Sequence, residues 1–384
     1  MKRALLLCFL AFCVCAAILS GSWPAKVYAL PDVHFDAKAA VLVDYASGEV
    51  LFQQNADEKL EIASMVKLMT IYLTIEALEN GDLSLDDKLV ASSNASSMGG
   101  SQVFIDEGEE YSIEKMLQSV IMASANDASV ALSEHIAGTE KAFVEKMNQT
   151  AKELGMHSTQ YANATGLPAP MQFSTAKDTS IILSKLVSNK IYHKYSSLWI
   201  DELVHPSGRK TEIVNTNKLT RYYKGCDCGK TGFTDEAGYC LATSATRNDM
   251  RLISVIIGAK SAKTRFSESV NLLNYGFSNF ETVRVLDNTL PQGDILVLRS
   301  KNTKAPVFAN ESFSAVCKIG EKPEFDLEIN IQKSISAPCA KGDVVGSILI
   351  LKNGAVVKEI NLVLEADITA LNFKEAYQKA IGAW

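Results

Sequence analysis

Residues 63–70 read Ala63-Ser64-Met65-Val66-Lys67-Leu68-Met69-Thr70 and open an apolar run that stops at Gly81. The spacing of its apolar residues predicts a largely buried helix over 64–79. Ser64 and Lys67 stand three apart, so on a helix they share a face and the hydroxyl can meet the amine. A lysine flanked by Ala63, Met65, Val66, Leu68 and Met69 is stripped of water, which lowers its pKa towards that of a neutral base. Ser-x-x-Lys also occurs at Ser112/Lys115, Ser174/Lys177 and Ser207/Lys210. Ser112 and Ser174 each open a helical pattern, where N-capping accounts for them, and Ser207-Gly208 reads as a turn.

Two shorter signals lie downstream. Ser-x-Asn recurs at Ser92/Asn94, Ser124/Asn126 and Ser269/Asn271. Of these, Ser124-Ala125-Asn126 sits where one helical stretch ends and another begins, in a loop that can reach a cleft. Its hydroxyl can pass a proton and its amide can hold a substrate carbonyl. Lys230-Thr231-Gly232 occurs once, inside a strand expected over 224–233. Gly232 removes the side chain that would block a peptide laid against that strand. The lysine and threonine can grip a terminal carboxylate by charge and hydrogen bond.

Around these motifs the chain alternates strands and helices. Residues 39–53 read as a β-hairpin turning at Ala46-Ser47-Gly48. Helical periodicity covers 112–122, 139–154, 174–189 and 261–275, and strands are expected over 224–233, 239–246 and 251–257. The order predicts a sheet with helices packed around it. After residue 280 come short strands such as Val283-Arg-Val, Ile295-Leu-Val-Leu and Ile348-Leu-Ile-Leu, with turn signals such as Asn353-Gly354. This is the pattern of a small all-β domain. A final helix is expected over 368–384, with Phe373, Tyr377, Ile381 and Trp384 on one face. Such a helix can lie in a membrane interface or pack on the β-domain.

Composition narrows the function. The 384 residues include 38 basic and 44 acidic side chains, a formal charge of −6, which disfavours an electrostatic nucleic-acid binder. Lys2 and Arg3 precede sixteen apolar residues from Ala4 to Leu19, and Val27-Tyr28-Ala29 ends an A-x-A-like pattern. Residues 1–29 therefore read as a secretory signal peptide, with an uncleaved N-terminal anchor as the alternative. Beyond it stand Cys226, Cys228, Cys240, Cys317 and Cys339, an odd number that argues against a complete disulfide framework. Cys228 with Cys240, or Cys317 with Cys339, stay open as pairs beside the simpler reading of small buried thiols. The five histidines are scattered and Cys-x-Cys lacks zinc spacing, so no metal or cofactor is expected.

Ser-x-x-Lys on a helix, Ser-x-Asn about sixty residues later and Lys-Thr-Gly on a late strand resemble the penicillin-binding protein and serine β-lactamase superfamily. The stretches Ala63–Thr70, Ala123–Ala128, Asn163-Ala-Thr-Gly-Leu-Pro168 and Gly229–Cys240 look like the low-molecular-mass D-alanyl-D-alanine carboxypeptidases of the S11 peptidase family. The resemblance runs from about residue 35 to 365. It implies an α/β (α+β) catalytic domain over 30–280, an all-β domain over 281–365 and an amphipathic C-terminal helix over 366–384. It further implies that Ser64 is acylated, Lys67 is its general base, Ser124 relays protons and Asn126 positions substrate. Lys230 and Thr231 would hold the terminal carboxylate, helped by Arg265. The backbone N–H groups of Ser64 and Phe233, beside Gly232, would hold the oxyanion.

The implied substrate is a peptidoglycan stem peptide ending in D-Ala-D-Ala, and β-lactams would trap Ser64. The implied location is the exported side of a bacterial membrane, in periplasm or cell wall. Three rival functions use the same signals. A β-lactamase is disfavoured because no glutamate between Asn126 and Lys230 lies in a Glu-x-x-Leu-Asn setting. A non-catalytic peptidoglycan- or penicillin-binding protein is disfavoured because every catalytic residue type is present. A D,D-endopeptidase would use the same residues and stays open.

Overall fold

The computed structural model describes residues 35–381, so the signal-peptide reading and Trp384 lie outside the described residues. Five strands form one antiparallel sheet: β1 (Ala39–Asp44), β2 (Val50–Gln54), β3 (Cys226–Thr234), β4 (Gly238–Arg247) and β5 (Met250–Ala259), in the order β2-β1-β5-β4-β3. The first hairpin and the three late strands match the sequence expectation. Both faces are covered. Val41, Val43, Ile253, Val255 and Ile257 point into one core, while Ala40, Leu42, Leu252 and Ile256 point into the other. A strand apolar on both sides reads as a near-continuous run, as Met250–Ala259 does.

The long helices are α1 (Lys67–Glu79), α2 (Ile113–Met122), α3 (Asn126–Ala137), α4 (Glu140–Glu153), α5 (Ala176–Leu186) and α6 (Ala262–Asn279). α1 to α5 supply the first core and α6 supplies the second. Side-chain caps set several of the starts: Ser112, Thr139, Thr175 and Ser261 each accept from a backbone N–H in the first turn. The N-cap of α5 is thus Thr175 and not Ser174, whose hydroxyl pairs with that of Thr159. Gly208 has φ +84 in the hairpin of Ile200–Val204 and Lys210–Val214, as the turn reading of Ser207-Gly208 requires.

From Phe280 onward the chain is β-rich. Six strands form one sheet around Ile295, Val297, Val307, Ile348, Ile360 and Leu362, and Phe280–Leu286 pairs with Phe313–Lys318. The last helix, α7, is shorter than expected, Phe373–Ile381. Ile368 is instead bridged to Cys339, and Leu371 N–H donates to the Arg299 carbonyl, so the preceding segment belongs to the sheet edge. Asn372 and Glu375 then exchange hydrogen bonds at 2.9 Å, a reciprocal cap that fixes where the helix can begin.

Candidate active site

Ser64 does not sit on the α-helix. Ala63–Val66 form a 3-10 turn and α1 starts at Lys67. Residues i and i+3 eclipse one another in a 3-10 turn, so the expected meeting survives the change of helix type. Lys67 Nζ lies 3.0 Å from Ser64 Oγ. The turn is fixed by close backbone packing on two sides. Ala63 is in the left-handed region at φ +47, a strained state for alanine. A Cβ on Gly166 would fall 2.1 Å from the Ala63 carbonyl oxygen. A Cβ on Gly232 would fall 2.6 Å from the Ile62 oxygen and 3.2 Å from Ser64 N. Glycine at 232 therefore lets β3 run directly against the serine.

Lys67 is fully buried. Burial depresses its pKa well below the usual lysine range, and the neighbouring charge of Lys230 lowers it further, against an opposing pull from Asp127. Its other partner is the Thr165 carbonyl at 2.5 Å. That carbonyl belongs to the Asn163–Pro168 stretch. Asn163 Oδ1 accepts from Gly166 N–H at 2.7 Å and from Thr165 N–H at 3.1 Å, and Thr70 Oγ1 donates to Ala164 O at 2.8 Å. Asp127, also missed by sequence reasoning, is buried and accepts from the Val103, Ile105 and Ala128 amides.

Ser124 occupies the junction of α2 and α3 at φ +62, and its buried hydroxyl has no partner among the described residues. Asn126 N–H donates to Ser101 O at 2.7 Å and Nδ2 donates to Gly99 O at 2.6 Å, which leaves Oδ1 unpartnered. The amide thus offers a substrate an acceptor. Nδ2 carries a second hydrogen, which the substrate carbonyl expected from the sequence can accept.

On β3, Lys230 is fully buried, and burial followed by the charge of Arg265 pushes its pKa down to about 7. Arg265, in the first turn of α6, donates Nη1 to the Gly232 carbonyl at 3.0 Å, while its buried Nε has no partner among the described residues. Burial lowers its pKa as well. Phe233 is 49% exposed and leans on Tyr239 with ring centroids 4.3 Å apart. β3 is an edge strand, hydrogen-bonded within the sheet to β4 alone, so its free side can take an added strand.

A cleft of about 500 Å³ brings Ser64, Ser124, Thr231, Gly232, Phe233 and Arg265 together. It also takes in Trp199, Thr216 and Lys218, which no sequence motif marked. Ser112, Ser174 and Ser207 are not among its lining residues. All five described cysteines are free thiols, and burial raises the pKa of Cys226 to about 11. Two other groups of metal-ligand type, His193/Asp227/Cys228 and Asp106/Glu109/His205, are each engaged by an arginine: Arg251 forks onto Asp227 and Arg209 reaches Asp106.

A serine beside a buried lysine, a second serine opposite and a Lys-Thr-Gly edge strand define an active-serine acyl-transfer hydrolase. The chain matches the D-alanyl-D-alanine carboxypeptidase family over residues 26–261 and the C-terminal domain of penicillin-binding protein 5 over 280–370. It is 37% identical to the D-alanyl-D-alanine carboxypeptidase DacF of Bacillus subtilis, covering 91% of this chain and 90% of that protein. Among solved structures, penicillin-binding protein 5 of Haemophilus influenzae superposes with a TM-score of 0.72 at 31% identity, covering 89% of this chain and all of that one. Penicillin-binding protein D2 of Listeria monocytogenes, in its ampicillin-bound form, is 34% identical with a TM-score of 0.58, over 65% of this chain and all of its own. The chain belongs to the D-alanyl-D-alanine carboxypeptidase family, a group of serine peptidases.

Proposed function

We propose that the protein removes the terminal D-alanine of a peptidoglycan stem peptide through an acyl-enzyme on Ser64. The observation that carries this reading is the 3.0 Å contact between Ser64 Oγ and a fully buried Lys67. A neutral amine there keeps a lone pair for the Ser64 proton, while one N–H stays on the Thr165 carbonyl. Ser64 Oγ attacks the carbonyl between the last two D-alanines, and the oxyanion rests on the Ser64 and Phe233 amides. Asn126 Oδ1 accepts from a substrate N–H, and Ser124 relays a proton to the departing amine. Lys230, Thr231 and Arg265 hold the terminal carboxylate. Water then hydrolyses the ester, with the same base activating it.

Penicillins would be trapped at the same step as slow acyl adducts. Incubation with a D-Ala-D-Ala pentapeptide tests the reading: free D-alanine is expected, and its absence from folded protein rejects it. Mass spectrometry after penicillin treatment should place the adduct on the peptide containing Ser64.

The site requires the enzyme to meet cell wall, so we assign it to the exported side of a bacterial membrane, with residues 1–29 as the signal. α7 would touch the membrane surface. Phe373, Tyr377 and Ile381 are exposed along it, at 87%, 61% and 57%. Among the described residues no helix is long and apolar enough to cross a membrane, so contact would be interfacial.

A further inference from the structure

The cleft extends past the place where D-alanine would end. Ser64 N stands against Gly232, and the carboxylate grip lies one and two residues back along β3, at Thr231 and Lys230. Further back, the segment 214–218 is fastened to the same strand. Asn217 Nδ2 donates to Cys228 O at 3.1 Å, and Thr216 N–H donates to Met122 O beside the Ser124 junction. Asn215 N–H donates to the Trp199 carbonyl at 2.9 Å. A peptide with its scissile carbonyl at Ser64 and its carboxylate at Lys230 therefore points its last residue at Trp199, Thr216 and Lys218.

That wall has more chemistry than a methyl group can use. The charged residues lining the cleft are Lys218 and Arg265, with no carboxylate beside them, in a chain whose formal charge is −6. Arg265 is accounted for by the terminal carboxylate. Lys218 is exposed and makes no ion pair among the described residues. The Trp199 ring is held by the edge of Tyr222, 6.3 Å between centroids, and by the Arg221 guanidinium 5.1 Å away. The result is an indole plate that carries the Arg221 cation and shares the cleft with a second cation, Lys218.

We propose that Trp199 and Lys218 form a leaving-group subsite for D-amino acids whose side chain carries two or more methylenes and ends in a carboxylate. The methylenes lie on the indole and the second carboxylate pairs with Lys218. The bonds made and broken are those of the proposed reaction, on which this subsite rests: the Ser64 ester forms, the C–N bond to the D-residue breaks, and its amine leaves protonated.

The test uses three peptides, diacetyl-L-Lys-D-Ala-D-X with X as D-Ala, D-Glu or D-Gln, on the whole protein. Wild type should release D-Glu with a higher kcat/KM than D-Gln, by about fivefold, the upper range for a solvent-facing pair. Lys218→Ala should bring the Glu:Gln ratio to about one and Lys218→Glu should invert it, while Lys218→Arg should preserve it. Trp199→Ala should slow both long leaving groups equally. The subsite is overturned if the ratio is the same in wild type and Lys218→Ala, or if D-alanine is released and neither long residue is. Failure to release D-alanine from the D-Ala-D-Ala peptide instead rejects the underlying carboxypeptidase reading and takes the subsite with it.

Discussion

The Thr165 carbonyl oxygen stands 2.5 Å from Lys67 Nζ, and the Ser64 hydroxyl lies 3.0 Å from the same nitrogen. A backbone acceptor cannot titrate or swing away, so it holds the amine in one orientation whatever the state of the serine. In the proposed mechanism the loop that supplies it therefore positions the base.

Lys67→Ala should abolish penicillin acylation while leaving the fold intact, because the base is lost and a small cavity replaces a buried amine. Lys67→Arg should fail as well, since guanidinium does not deprotonate near neutral pH and its fork does not fit a site built for one nitrogen. The check is acylation rate by mass spectrometry with circular dichroism as the folding control. Near-wild-type acylation by Lys67→Arg would place the base elsewhere.

Gly166→Ala should damage the site without touching any reacting atom. The residue has φ +81, and the new Cβ would fall 2.1 Å from the Ala63 carbonyl oxygen, which is backbone and cannot rotate aside. Strain of about 1–3 kcal/mol is expected from the left-handed conformation alone, and the clash with the Ala63 backbone adds to it. The protein should melt lower and acylate more slowly, whereas Gly155→Ala, also at positive φ with open space around its Cβ, should melt lower but acylate normally. Equal acylation rates in the two variants would show that the loop does not set the serine turn.

How much of this was legible in the sequence follows from the range of each interaction. The Ser64/Lys67 pair is local, and three-residue spacing survives in either helix type, so it could be read without knowing that residues 63–66 form a 3-10 turn. The strands β1 and β5 were legible because their apolar runs are long. The roles of Asp127, Thr165 and Gly166 were not, although their stretches carry the family resemblance, since Asp127 serves amides more than twenty residues away and Thr165 acts through its main chain. The start of α7 was missed because apolar periodicity continues through Ile368, whereas the chain there pairs with Cys339 and only Asn372 caps the helix. Lys218 and Trp199 come together only through the fold.

Lys230→Ala should raise KM for the pentapeptide and lower kcat/KM by about 2–4 kcal/mol, the cost of removing one partner from a desolvated charge pair. Amidating the substrate's C-terminus should cost wild type a similar amount and the variant little more. If amidation costs both proteins equally, Lys230 does not read the carboxylate.

A chain ending at Leu371 should keep the Ile368–Cys339 bridge and the Leu371–Arg299 hydrogen bond, and so keep its β-domain folded. It should remain active on soluble peptide yet lose co-sedimentation with liposomes if α7 is the membrane contact. Attraction must come from the exposed Phe373, Tyr377 and Ile381, because Glu375 offsets part of the charge of Lys374 and Lys379, and Lys379 Nζ is already held by the Ser300 carbonyl at 2.8 Å. Equal sedimentation of full-length and shortened protein would remove α7 from that role.

The two buried lysines set opposite limits on activity with pH. Lys67 must be neutral to take the serine proton, so kcat/KM should rise as pH climbs through its lowered pKa. Lys230 must be protonated to hold a carboxylate, and with its pKa near 7 the free enzyme loses that charge as pH rises further, so kcat/KM should fall above about pH 7. The Lys230 charge lowers the Lys67 pKa, so the two limbs are coupled, while burial and the Arg265 charge lower Lys230. Removing Lys230 separates them. Lys230→Ala should lose the alkaline fall, because no carboxylate-binding proton remains to be lost there. The Lys230 cation is one of the causes that depress Lys67, so its removal raises the Lys67 pKa and should move the rising limb to higher pH. Measuring kcat/KM from pH 5 to 10 for both proteins decides this: an alkaline fall that persists unchanged in Lys230→Ala would assign that limb to another group.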